Sequence, residues 1–124
     1  MAKPNFIMTG CTLILAAMAT LGGLRAETAE EHYRLYCVQC HGTQGNGGGI
    51  NNTYGGLAVS PRDHTDAEEM GKLSDQDLQL AIAKGGDAVQ KSELMPAWQY
   101  TLTEREISEL VDYLRELCAC QENM

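Results

Sequence analysis

A chain of 124 residues with nine Lys and Arg against seventeen Asp and Glu carries a formal charge of −8. That excludes the basic patch that binding to nucleic acid or to an anionic membrane surface requires. Hydrophobic and charged fractions of 44% and 21% are ordinary for a globular protein and exclude both a disordered chain and a fibrous repeat. Five cysteines beside one Phe and one Trp are the unusual feature. A domain this small and this poor in aromatics completes its core with aliphatic side chains, disulfides, a metal or a prosthetic group.

The N-terminal segment is read first. No charge lies between Lys3 and Arg25, and the chain from Phe6 to Leu24 is apolar. This predicts a signal peptide over residues 1–26, with Ala26 before the cut. An uncleaved anchor is the alternative, because the run approaches the ~20 residues that span a bilayer. Lipid attachment at Cys11 fits less well, since most of the apolar run follows that residue. Either way a folded domain over 27–124 is expected outside the cytoplasm, in the periplasm. Setting Lys3 and Arg25 aside takes its charge from −8 to −10.

Within that domain three hydroxyl residues are followed three positions later by an acid: Thr28 with Glu31, Ser74 with Asp77, and Thr103 with Glu106. Each pair reads as a helix N-terminus, in which hydroxyl and carboxylate satisfy free N–H groups. Leu73 with Leu78 and Leu102 with Ile107 add a hydrophobic staple to the last two. The first helix runs over about 28–36 and carries Tyr33 and Tyr36. The second, over 74–84, turns Leu78, Ala81 and Ile82 inward and stops at Gly85 and Gly86. In the third, Ile107, Leu110, Val111, Leu114 and Leu117 form one stripe opposite Glu106, Glu109, Asp112 and Glu116, and Tyr113 is expected against the first helix. No run alternates with period two for long enough to argue a strand, so the expected class is all-α.

Between the helices the chain is loop-like. Residues 42–56 hold seven glycines and three asparagines, and 59–70 read VSPRDHTDAEEM. Loops this long in a small domain imply that they wrap something large and apolar.

Cys37, Val38, Gln39, Cys40 and His41 form C-x-x-C-H at the end of the first helix. Two thiols one helical turn apart reach the two vinyl groups on one porphyrin edge, and the adjacent imidazole then faces the iron. A zinc site drawing on the Cys118 and Cys120 pair, a thioredoxin-like redox pair and a structural Cys37–Cys40 disulfide are the competing readings. The redox pair lacks the βαβ context it needs.

With these pieces in order, the chain from residue 27 to the end resembles the class I c-type cytochromes. The matching segments are a helix ending in CVQCHG, the glycine-rich GTQGNGGG, PRDHTD, a helix ending in GG, then LMPAW and a C-terminal helix. The resemblance implies the cytochrome c fold, with helices and long loops wrapped around one covalently bound haem c. It implies Cys37 and Cys40 as attachment points and His41 and Met95 as axial iron ligands. A thioether is a weakly donating ligand that raises a haem potential, and Pro96 stiffens the loop presenting it. Met70, His64 and His32 are the rival ligands. His64 otherwise reads as a solvated or hydrogen-bonded loop residue, and His32 as a helix-surface residue.

Trp98 and Arg62 are candidates to hydrogen-bond the haem propionates, and packing against the ring edge is the other role open to Trp98. The carbonyl that accepts from His41 commonly belongs, in the family, to a proline nine to twelve residues on. Here residues 50–53 hold none, so its identity stays open. Cys118 and Cys120 read as a pair at a helix end, disulfide-bonded in an oxidising compartment.

The implied function is electron transfer between periplasmic or membrane redox partners with basic docking patches, without catalysis by the protein itself. A haem-bearing subunit or assembly partner of a larger reductase or oxidase, and an open-site haem enzyme, are the alternatives.

Overall fold

The computed structural model describes residues 25–122. The expected signal peptide lies almost wholly outside that range. Among the described residues six helices and one 3-10 turn follow in order: α1 Ala29–Tyr36, α2 Val38–His41, α3 Ile50–Gly55, α4 Ala67–Gly71, α5 Asp75–Lys84, a 3-10 turn Asp87–Val89, and α6 Glu104–Cys118. No strand occurs among the described residues, in keeping with the all-α expectation. No helix among them is long and apolar enough to cross a membrane.

The three predicted capping boxes form as read. Thr28, Ser74 and Thr103 each accept from the N–H three residues on, and Glu31, Asp77 and Glu106 reach back to the cap N–H. These contacts are local, so a tetrapeptide specifies them. Two short helices were not foreseen. α4 begins at Asp66, whose carboxylate accepts from the N–H groups of Glu68 and Glu69. α3 begins at Gly49 with no side-chain cap.

α6 is the spine of the core and packs against α1 on one side and α5 on the other. Ile107, Leu110, Val111 and Leu114 are buried as predicted, with Leu117 at the margin of the stripe. Tyr113 meets Tyr33 of α1 at a ring separation of 5.3 Å. Met70 is fully enclosed in this core.

Two buried polar residues depart from the sequence reading. His32, expected on the helix surface, is 2% exposed. Its Nε2 lies 3.1 Å from the Glu27 carboxylate and 3.8 Å from that of Glu106, and its Nδ1 is buried without a partner. The N-terminal half of α1 is thereby drawn against the start of α6.

Arg115, which the periodicity leaves on the flank of α6, is also buried. It donates to Asp75 Oδ1 at 2.9 Å, to the Met70 carbonyl at 2.9 Å and to the Leu73 carbonyl at 2.7 Å. A single guanidinium thus ties the end of α4 and the start of α5 to α6, a use that the planar five-donor fork suits. Beside it Cys118 and Cys120 form the expected disulfide, which closes the end of α6.

Candidate haem site

The N–H of Cys37 ends α1 by donating to the Tyr33 carbonyl at 2.9 Å. Its own carbonyl then starts α2, accepting from Cys40 at 3.2 Å and from His41 at 2.9 Å. Cys37, Cys40 and His41 therefore sit on one helical turn. The glycine-rich loop curls back over them: Gly47 donates to the His41 carbonyl at 2.8 Å and Gly49 to that of Cys40 at 3.1 Å. These bonds satisfy carbonyls that a helix as short as α2 cannot pair internally. Gly47 has a φ of +75° and faces the Pro61 carbonyl, which a Cβ there would approach to 2.8 Å. The loop can therefore be clamped between the motif and residues 61–62 only with glycine at this position.

That clamp supplies the acceptor left open by the sequence. His41 Nδ1 donates to the Arg62 carbonyl at 3.1 Å. The residue after Pro61 serves, well beyond the window in which a proline was sought. The bond fixes the proton on Nδ1 and leaves Nε2 as a bare lone pair, the form an iron ligand needs. Burial holds His41 below its ordinary value, with the Arg62 charge adding to this and the hydrogen bond opposing it.

His64 is not solvated. It is 8% exposed, and its ring lies 4.2 Å from that of His41 with the planes 19° apart. Burial pushes it down to about 3, and the neighbouring His41 and Arg62 add to the effect, so the ring is neutral at physiological pH. Tyr33, raised by its own burial, donates its O–H to His64 Nδ1 at 2.9 Å.

These residues border a cavity of about 790 Å³ lined by Cys37, Cys40, His41, Met95, Trp98 and apolar side chains of α5 and α6, Leu78, Ile82, Leu110 and Leu114 among them. Of the rival ligands, Met70 and His32 are not on its wall. Met95 is carried by a loop that Gly86 fastens by donating to the Met95 carbonyl at 3.0 Å. A Cβ on Gly86 would collide with the Ser92 carbonyl and come within 3.2 Å of Met95 Cβ. The glycine pair that ends α5 therefore also seats the methionine loop.

Trp98 is half-buried, with its main-chain N–H donating to the Ile82 carbonyl at 3.0 Å and its ring 4.8 Å from that of Tyr36. Arg62 reaches the cavity wall, but its guanidinium is 3.8 Å from Glu69, and its backbone makes the contact to His41.

The cysteines fit a porphyrin better than a metal ion. Both thiols are free, and burial, with Cys40 beside it, pushes Cys37 up to about 12. A thiol so far from ionising is a poor redox nucleophile. Cys118 and Cys120, the pair a zinc site would recruit, are bonded to each other. Among the described residues no group of three or more His, Cys, Asp or Glu is placed to hold a metal ion. A large apolar cavity with two thiols and an imidazole on one wall and a thioether in another is what an iron porphyrin requires.

Comparison with known proteins agrees with the fold. No curated protein matches the chain in sequence. Among solved structures, a c-type cytochrome matches with a TM-score of 0.58 at 27% identity, over 73% of this chain and 98% of its own. A chain of the Kuenenia stuttgartiensis reducing HAO-like protein complex matches with a TM-score of 0.56 at 24% identity, over 74% of this chain and 42% of its own; at that identity the likeness is one of fold. Residues 24–114 match the family described as cytochrome c oxidase, cbb3-type, subunit III. The chain therefore belongs to that family of c-type cytochrome domains and carries covalently bound haem c.

Proposed function

We propose that this protein is a monohaem electron carrier, attached to haem through Cys37 and Cys40 with the iron held between His41 and Met95. The observation that carries the reading is that all four side chains border one apolar cavity, with the His41 lone pair freed by the bond to Arg62. When bound, the haem supplies a one-electron ferric/ferrous couple. The chain does the rest: Cys37 and Cys40 fix one edge, Arg62 orients His41, Gly86 seats Met95, and α5 and α6 keep water from the faces. With His41 and Met95 both holding the iron, no position would be left for a substrate, and we read the protein as a carrier and not itself an enzyme. Trp98 and Arg62 remain the candidates for propionate contacts.

Val59, Leu80 and Leu94 line the cavity while more than 40% exposed, so they form an apolar mouth through which an electron can pass to a docked partner. The charge of −10 over residues 27–124 suits partners with basic docking patches and an association rate that falls as salt rises. The apolar segment upstream supports export to the periplasm.

Replacing Cys37 and Cys40 by Ala tests the attachment. Haem stain on a denaturing gel is lost in the double variant, and persistence of the stain refutes the assignment.

The family is described by a subunit of an oxidase, which favours a second reading in which this chain is a haem subunit held in a larger complex. Size-exclusion of native extract separates the two: a free carrier elutes at the size of a single small domain, and a subunit elutes with its complex.

A further inference from the structure

The motif residues account for one side of His41, and His64 lies against another. A hydrogen bond from Nδ1 sets the tautomer of an axial imidazole and limits its tilt. Because Nδ1 lies off the metal–nitrogen axis, the bond to Arg62 also restrains rotation about that axis, within the angular tolerance of one hydrogen bond. A second ring packed face to face narrows the range that is left. Here the second ring is itself held at two points: its Nδ1 accepts from the Tyr33 hydroxyl at 2.9 Å, and its main-chain N–H donates to the Gly45 carbonyl at 2.6 Å. Tyr33 is in turn 2% exposed in the core and packed on Tyr113 of α6. A continuous chain of packed groups thus runs from the spine helix through Tyr33 and His64 to the axial ligand.

We propose that His64 is a positioning residue that sets the orientation of the His41 ring plane over the haem, with Tyr33 holding His64 in place. The proposal rests on His41 being an iron ligand. Ring orientation decides which iron d orbital is half-filled in the low-spin ferric state, so it governs how spin density spreads over the porphyrin.

The test uses the haem-loaded protein and its His64→Ala, His64→Phe and Tyr33→Phe variants, comparing ferric haem-methyl proton shifts and low-temperature EPR g-values. In His64→Ala the spread of methyl shifts narrows and the low-field EPR feature broadens, as the His41 ring samples several orientations. His64→Phe, which keeps a flat face, restores much of the spread. Tyr33→Phe lies between wild type and His64→Ala, and carries the test alone should His64→Ala fail to fold. Unchanged methyl shifts and g-values in a folded, low-spin His64→Ala protein overturn the proposal while leaving His41 as ligand. So does a Tyr33→Phe protein indistinguishable from wild type where it alone carries the test. A wild-type protein lacking a low-spin ferric spectrum overturns the proposal together with the ligation on which it rests.

Discussion

His41 and Arg62 meet through a single bond, from imidazole Nδ1 to main-chain carbonyl at 3.1 Å, across 21 residues of sequence. Because the acceptor is backbone, Arg62→Gln should leave the proximal bond intact. The sensitive position is Gly47, whose missing side chain makes room for the Pro61 carbonyl. Gly47→Ala is expected to cost about 1–2 kcal/mol for the left-handed backbone alone. It should also raise the reduction potential, because an imidazole without its acceptor donates less charge to the ferric iron. Thermal melts and a redox titration of both variants check this.

Gly86 holds the other axial loop. Gly86→Ala should displace the segment around Ser92 and Met95, weakening or abolishing the sulfur-to-iron charge-transfer band of the ferric protein while the haem stays covalently attached. Met95→His replaces the weakly donating thioether by an imidazole and should lower the potential, since a thioether favours ferrous iron more than an imidazole does. A spectrum unchanged by Gly86→Ala would mean that the loop does not depend on the glycine.

Arg115 should matter more to stability than the disulfide beside it. Arg115→Ala strands the Met70 and Leu73 carbonyls, at a cost of about 1–3 kcal/mol for each, while the half-exposed Asp75 carboxylate turns to water. Arg115→Lys recovers little, because an ammonium cannot span the three acceptors. Loss of the Cys118–Cys120 bond opens a very short loop and should cost only about 1–2 kcal/mol. Denaturant titration of the Arg115 variants and of Cys118→Ser/Cys120→Ser gives the ranking, and a larger loss for the cysteine variant would reverse this account.

What could be read from sequence follows a physical divide between local and distant contacts. The caps at Thr28, Ser74 and Thr103, the α6 stripe and the C-x-x-C-H turn depend on residues three or four apart, so their patterns stand in the chain itself. For α4 the legible signal was Asp66, an N-cap carboxylate ahead of the main-chain N–H groups of Glu68 and Glu69. The environments of His32, His64 and Arg115 depend on partners 19 or more residues away in the case of His64 and 40 or more in the case of Arg115, or on two helices meeting in the case of His32. His32 and His64 sit among polar neighbours in sequence, and only the tertiary fold removes the three side chains from water. The acceptor for His41 was hidden for the same reason, since any carbonyl can accept.

Acidification acts on the caps. Glu31, Asp77 and Glu106 are held below the ordinary carboxylate range: Glu31 first by the Thr28 N–H and then its hydroxyl, the other two first by the hydroxyls of Ser74 and Thr103 and then by their N–H groups. A carboxyl lowered by folding adds stability above its unfolded value and loses it as pH falls through the lowered folded value. The melting temperature should therefore begin to fall below about pH 4.5, the unfolded carboxylate range. Glu31→Gln/Asp77→Asn/Glu106→Gln should melt lower at neutral pH and fall less steeply in acid. Parallel curves for the two proteins would show that the caps do not set the acid response.

Whether Cys37, Cys40, His41 and Met95 serve one haem is read from the ferric optical spectra of the wild-type and Met95→Leu proteins. A sulfur-to-iron charge-transfer band is expected at the red edge in the wild type and is lost in Met95→Leu with the haem still covalently bound. A wild-type spectrum with water-bound high-spin features and no such band would contradict this ligation, as would a band that survives the loss of Met95.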